Sequence, residues 1–315
     1  MSSAAWRALF TLICAVALAP TLVPAQEPDY GLAPQRIADD VYVLVGRTED
    51  FSRGNGGNIV NTAFVVAPEG VVVIDSGPSR LYGEQLRRAI ARVTPKPLLK
   101  VFNTHHHPDH YLGNQAFADK PTAALPTTIS GQRSEGGAFT ENLYRMAGDW
   151  MKGTESVPAR EPVSPGLVTI GGRPFELLLF AGHTQGDLAI LDRQSGVLFS
   201  GDLVFWNRAP TTPHADVATW LATLDRLEAL PFRLMVPGHG EPVPDARGIA
   251  QTRAYLRWLE GALRSAAERG DEMTELLARP LPPELATIPL SRLEFARSVA
   301  HLYRRYEAPT LKQAR

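Results

Sequence analysis

Apolar residues along this chain gather in short β-branched runs that alternate with longer stretches of helical period. Residues 41–45, 59–66 and 71–74 read as the opening strands of a meander, separated by turn residues. Ser79 stands where an N-cap belongs, ahead of Leu81, Leu86, Ile90 and Val93 at near-helical spacing, and Pro95 ends the pattern, which predicts a helix over 79–93. A buried strand at 98–104 and a short helix near Asn114 come next. Phe139, Leu143, Met146 and Trp150 recur at intervals of three and four, which predicts an amphipathic helix over 138–151 whose apolar residues are core. After a Pro-rich connection at 157–166 the texture repeats: apolar runs at 167–170, 175–180, 188–191 and 197–199, a helix over 217–230 and a strand at 234–236. From residue 246 the chain is helical and Arg-rich, with breaks at Gly270 and at 280–283. Two groups of strands interleaved with helices predict an α/β protein, two sheets packed face to face with helices outside.

Two segments stand apart from that rhythm. Residues 47–58 carry Gly54, Gly56 and Gly57 and read either as a mobile flap or as a plain solvent loop. Residues 1–25 hold one charge, Arg7, then an apolar run over 8–19 and a small-residue end at Ala25. That is the pattern of a secretory signal, too short in its apolar part for the roughly 20 residues that span a bilayer. The expectation is therefore a periplasmic or secreted protein with no membrane anchor after cleavage. Residues 26–245 then form the main domain, and 246–315 a helical extension packed on it. No linker or short-period repeat interrupts this.

Composition narrows the chemistry. A hydrophobic content of 44% supports a full core, and a net charge of -1 gives no reason to expect a nucleic-acid partner, leaving a small molecule as the expected one. Cys14, the only cysteine, lies within the leader. Its removal excludes disulfides, thiolate catalysis and Cys-ligated zinc, so soft metal ligands must be histidines.

Histidines are concentrated where the strand at 98–104 ends, in His105, His106, His107, Pro108, Asp109 and His110. Imidazole and carboxylate are ligands for a borderline metal such as zinc. His105 and His107, two apart on an extended segment, project to one side, and Asp109 and His110 follow a proline that turns the chain, so one loop offers ligands in two directions. His106 faces away from them and is read as packed, or as supporting the ligands from behind. Three more apolar strands run into a glycine and then a ligand: Gly182 and His183, Gly201 and Asp202, Gly238 and His239. Glycine lets the backbone turn and approach closely there.

With its His, any, His, any, Asp, His motif at 105–110, Asp75 and Gly77 before the first helix, and the three later ligands, the chain resembles the metallo-β-lactamase-fold hydrolase superfamily over roughly residues 40–245. The resemblance implies an αββα four-layer sandwich and two Zn2+ ions. By it, His105, His107 and His183 hold the first ion, Asp109, His110 and His239 the second, and Asp202 bridges them. An aspartate at the bridge is similar to the glyoxalase II type, whereas most β-lactamases of the fold carry Cys or Ser there. The stretches 105–114 and 135–150, with the export signal, are similar to quinoprotein relay system zinc metallohydrolases, which implies a periplasmic oxidation-system partner.

The expected activity is hydrolysis of a small ester, thioester or lactam by a metal-bound hydroxide that Asp109 orients, or whose parent water gives up its proton to Asp109. No protein nucleophile is needed. Asp75, His106, Trp206, Asn207, Arg208 and His214 are the candidates for support of the ligands or for the pocket wall, and His301 receives no metal role. Three other readings compete: an Fe2+ oxygenase resembling persulfide dioxygenases through His105, His183 and Asp202, a β-lactamase, and a metal-binding accessory protein without activity.

Overall fold

The computed structural model describes residues 27–313, so the expected leader lies outside the described residues. The first sheet takes its strands in chain order: β1 (Gln35–Ala38), β2 (Val41–Leu44), β3 (Thr62–Ala67), β4 (Gly70–Ile74), β5 (Leu98–Phe102), β6 (Thr122–Ala124) and β7 (Glu161–Pro162). Pairing is antiparallel up to β4 and parallel from there on. Three helices accompany it: α1 (Arg80–Val93), α2 (Pro108–Tyr111) and α3 (Pro126–Ala147).

The second sheet is an antiparallel meander of β8 (Gly166–Ile170), β9 (Arg173–Phe180), β10 (Asp187–Asp192) and β11 (Val197–Phe205), closed by β12 (Leu234–His239) lying parallel to β11. Its helices are α4 (Val217–Glu228), α5 (Arg247–Arg269), α6 (Met273–Ala278), α7 (Pro283–Ala286) and α8 (Ser291–Gln313).

Alternation along the strands sorts side chains between two cores. Val43, Val65, Val72 and Phe102 of the first sheet meet Phe175, Leu188, Ile190 and Phe199 of the second in the layer between the sheets. The other face of the first sheet, with Phe64, Val73 and Val101, packs under Tyr82, Leu86 and Ile90 of α1. The Ser79 side chain caps that helix by accepting from the Tyr82 amide at 3.0 Å. The outer face of the second sheet packs under Trp220 of α4, Leu256 and Leu259 of α5, and Phe295 and Val299 of α8. These are the four layers expected, with a C-terminal helical region sharing the core of the second sheet. No helix among the described residues is long and apolar enough to cross a membrane.

Three local expectations fail. Helix α3 begins at Pro126, a dozen residues before 138, a start the sequence pattern hides because Thr127, Ser130, Gly131, Gly136 and Gly137 are poor helix formers. Two of the glycines make space: a Cβ on Gly131 would lie 2.7 Å from the His106 ring, and one on Gly136 would collide with Ser156. Strands β1, β6 and β7 have two to four residues each, too few to show a period. Residues 47–58, exposed at 47–49 and 53–54, are tied to the fold at the glycines rather than being a plain solvent loop throughout. Asn55, Gly56 and Gly57 are buried, the Tyr30 hydroxyl donates to the Gly56 carbonyl, and Arg297 of α8 pairs with Asp50 at 3.0 Å.

Candidate metal centre

Both sheets deliver polar side chains to one edge. The turn after β5 carries His105, His107, Asp109 and His110, all less than 9% exposed. It is held from below by amides and a hydroxyl: Asn114 Nδ2 donates to Asn103 Oδ1 at 2.8 Å, and Ser76 Oγ donates to Asn114 Oδ1 at 2.9 Å. His183 follows β9. His239 ends β12, packed against Phe205 in parallel rings 5.1 Å apart.

Asp202 is not at a strand end as the sequence suggested. It lies within β11, which continues to Phe205, and reaches the edge because the register slips on either side of Gly201, where φ is +53°. A Cβ on Gly238 of the neighbouring strand would collide with Asp202 Oδ1. That glycine makes room for the carboxylate.

Around Asp202 the ligand atoms form two groups. His105, His107 and His183 share one with Asp202, and Asp109, His110 and His239 form the other. Asp202 Oδ2 is 3.3 Å from both His183 Nε2 and His239 Nε2, and Oδ1 is 3.1 Å from His110 Nε2, so the carboxylate faces both groups. His183 Nε2 and His107 Nδ1 are 2.9 Å apart, and His239 Nε2 is 3.4 Å from Asp109 Oδ2.

Hydrogen bonds behind the rings decide which nitrogen faces inward. A carbonyl or carboxylate only accepts. His239 Nδ1 must therefore carry its proton, donating to the Ile59 carbonyl at 2.7 Å, and His110 Nδ1 donates to Asp75 Oδ2 at 2.8 Å. Both leave Nε2 free toward the centre. Asp75 also accepts from the Thr104 amide and hydroxyl, each at 2.8 Å, and holds φ at +58°, a left-handed conformation that Asp and Asn tolerate better than most residues.

Burial lowers His105 and His107 well below the ordinary histidine value and His183 to about 3, so these three are neutral and have lone pairs to offer. His110 is raised well above it: burial opposes this, but the carboxylates of Asp202, Asp75 and Asp109 prevail. Asp202 is held well below the carboxylate range, where His239 and His110 outweigh its burial. His105 Nε2, His110 Nε2 and Asp202 Oδ1 are buried without a hydrogen-bond partner in the protein. Such atoms are costly unless satisfied, and divalent metal satisfies all three at once. The donor set, nitrogen and carboxylate without sulfur, fits Zn2+.

A cavity of about 370 Å³ opens onto Asp109, Asp202 and His239. Phe51, Ile59, Phe139, Leu143 and Met146 supply its apolar lining, and Arg208, His214, Arg297 and His301 its basic lining. Phe139, Leu143 and Met146, read from the sequence as core, are thus also pocket wall, since the centre lies beside α3. Trp206 and Asn207 do not line it. Asn207 has φ +51°, and the turn there leaves Trp206 packed on the α5 side of the core while Asn207 lines a separate depression with Gln251. Arg208 returns to the pocket, paired with Glu294. His106 lies under α3, its Nε2 3.3 Å from Glu135 Oε1.

The sequence reading had overlooked Glu135, Phe51, Arg297 and His301 as pocket residues. Glu135 is one helical turn before Phe139, a signal hidden by the late start assigned to the helix.

The profile of the metallo-beta-lactamase superfamily matches residues 55–239. A linear primary-alkylsulfatase from a Pseudomonas species is 24% identical over 292 aligned residues, covering 76% of this chain but 53% of the relative, so the chain spans about half that protein's length. A hydroxyacylglutathione hydrolase from a Synechococcus species is 29% identical over 211 residues, 55% of this chain and 76% of the relative. The solved metallo-beta-lactamase from Pontibacter korlensis superposes with a TM-score of 0.59 at 21% identity, covering 72% of this chain and 99% of that one.

Proposed function

The chain belongs to the metallo-beta-lactamase superfamily, and on that premise we propose that it is a dinuclear zinc hydrolase of a small ester or thioester. The observation that carries this reading is Asp202, whose two oxygens face two separate ligand groups. His105, His107 and His183 hold one ion, Asp109, His110 and His239 the other. A pair of zinc ions supplies Lewis acidity and water acidic enough to attack at neutral pH.

The protein's own contributions are positional. Asp109, on the pocket floor, takes up the proton that the attacking water loses. Phe51, Ile59, Phe139 and Met146 receive the apolar acyl part of the substrate and exclude water from the reacting bond. An aspartate rather than a sulfur or hydroxyl side chain at 202 favours esters and thioesters over lactams. Export through residues 1–25 and a periplasmic oxidation partner complete the proposal. Appearance of the mature chain, starting after Ala25, in an osmotic-shock fraction tests the export part.

Metal analysis and a hydrolysis screen on the same purified sample test the activity. The expected result is two zinc ions per chain and turnover of esters or thioesters, with alkyl sulfates and lactams as comparison substrates. A single iron with oxygen-dependent turnover would overturn it in favour of the oxygenase, and a fully metallated chain inert across the panel in favour of the accessory protein. Asp202→Ala is expected to lose most of the second ion together with turnover.

A further inference from the structure

One proposed ligand, His107, makes a contact that the metal centre does not require. Its Nδ1 faces His183 in the first ligand group, and its Nε2 points the other way, 2.8 Å from Nδ1 of His214. His214 comes from the loop between β11 and α4 and packs against α3, its ring centroid 6.3 Å from that of Phe139. Its Nε2 is 3.0 Å from Glu135 Oε2 of α3. The two side chains are only partly covered, 34% and 37% exposed, and both line the pocket.

Proton positions along this row follow from one constraint. If His107 offers the Nδ1 lone pair to a metal, a neutral ring carries its proton on Nε2. That N–H donates to His214 Nδ1, which must be bare. His214 then has its own proton on Nε2, and the only role left to Glu135 is acceptor. Each step uses a distance already within hydrogen-bond range, and no ring needs a charge. The carboxylate draws electron density outward along the row and fixes the plane of a ring that has no carbonyl or carboxylate of its own behind it, unlike His110 and His239.

We infer that Glu135 and His214 form a positioning relay for His107, holding it in the metal-binding tautomer and orientation. The inference rests on the ligand role proposed for His107. It gives α3 a double duty. Glu135 orients the ligand, and Phe139, one turn further on, forms the apolar wall.

The test measures zinc or Co2+ affinity of each site by competition with a chelator, in wild type, His107→Ala, His214→Ala, His214→Asn and Glu135→Gln. His107→Ala identifies which of the two affinities belongs to the first site. His214→Ala is expected to weaken that site by about 10–100-fold and leave the other within about threefold. His214→Asn puts an amide oxygen near the place of Nδ1 and is expected to restore most of the loss, which a space-filling role would not predict. Glu135→Gln keeps the shape, loses the charge and falls between. The Co2+ absorption bands of the first site should shift in His214→Ala and return toward wild type in His214→Asn.

Unchanged first-site affinity and spectrum in His214→Ala would overturn the relay alone. So would a third ion in wild type that His214→Ala removes while the other two stay, because the cluster of His106, His107 and His214 would then itself be a metal site. If His107→Ala loses no metal, the ligand assignment falls and the relay with it.

Discussion

Replacing Asp75 with Asn tests the centre from behind. The carboxylate accepts three hydrogen bonds of 2.8 Å, from the Thr104 amide, the Thr104 hydroxyl and His110 Nδ1. Asn has the same shape and also tolerates the φ of +58°, so the backbone is not disturbed. Its oxygen takes the place of Oδ1 and keeps the Thr104 amide. Its nitrogen takes the place of Oδ2, where it can only donate. One hydrogen goes to Thr104 Oγ1 and the other to His110 Nδ1. His110 then has to carry its proton on Nε2, the atom that faces Asp202 and Asp109. The ring stays in position in the wrong tautomer.

The expected cost is about 10–100-fold in affinity at the second site, or about 1.4–2.7 kcal/mol, with a smaller effect on the first, whose His105 Nδ1 lies 3.1 Å from the same Thr104 hydroxyl. Asp75→Ala leaves three buried donors without an acceptor and costs about 1–3 kcal/mol of folding stability for each. Asp75→Asn keeps all three paired and should melt close to wild type in the metal-free form. Chelator competition and a thermal melt on the same samples check both statements. Equal affinity of both sites in wild type and Asp75→Asn would refute the tautomer argument.

Other expectations can be tested in the same way. In the metal-free centre the carboxylates of Asp202, Asp75 and Asp109, against the effect of burial, hold His110 well above the ordinary histidine value, so filling the second site should displace a proton. Its affinity should therefore fall as pH drops. The first site, whose three histidines are already neutral, should stay nearly flat, and titrations in weak buffer would detect the proton. Gly238→Ala places a methyl group against Asp202 Oδ1 and 2.8 Å from the Gly201 carbonyl carbon. A shift of the carboxylate by a sizeable fraction of an ångström is expected to lower kcat about 100-fold with the fold intact by circular dichroism. Leu143→Ala, buried with Tyr111, Leu112 and Met151, should cost about 2–5 kcal/mol in urea unfolding. Phe139→Ala, at the partly buried wall, should act instead on KM, weakening long-chain acyl substrates by about 1–3 kcal/mol relative to acetyl.

The parts of this architecture that could be read from sequence are those where one physical signal dominates. Runs of β-branched residues marked β2 to β4, a short apolar run marked β5, and Ser79 marked the start of α1, because burial and capping act locally. The ligand clusters stood out because apolar strands rarely end in glycine followed by an ionisable residue. What stayed hidden depends on distant neighbours. The first half of α3 has three glycines that lower its helix propensity, and Gly131 and Gly136 are explained only by His106 and by Ser156, which approach them in the folded chain. Asp202 looks like a strand end because Gly201 interrupts the run, yet β12 pairs with β11 on both sides of it. Pocket residues such as Arg297 and His301 belong to a helix some 60 residues beyond the last ligand, and nothing in their own surroundings points back to it.

One contact between the two halves has a kinetic consequence. Asn61, at the entry to β3, donates from its amide to the Gly238 carbonyl at 2.8 Å and from its side chain to the carbonyls of Pro237 and Gly240 at 2.9 and 2.6 Å, while His239 donates to Ile59. These bonds join segments nearly 180 residues apart, and closing loops of that length is slow. The second site is complete only when the end of β12 has reached Asn61. On dilution from denaturant, secondary structure should therefore return before the ability to colour with Co2+, which would make the ion a clock for the last stage of folding.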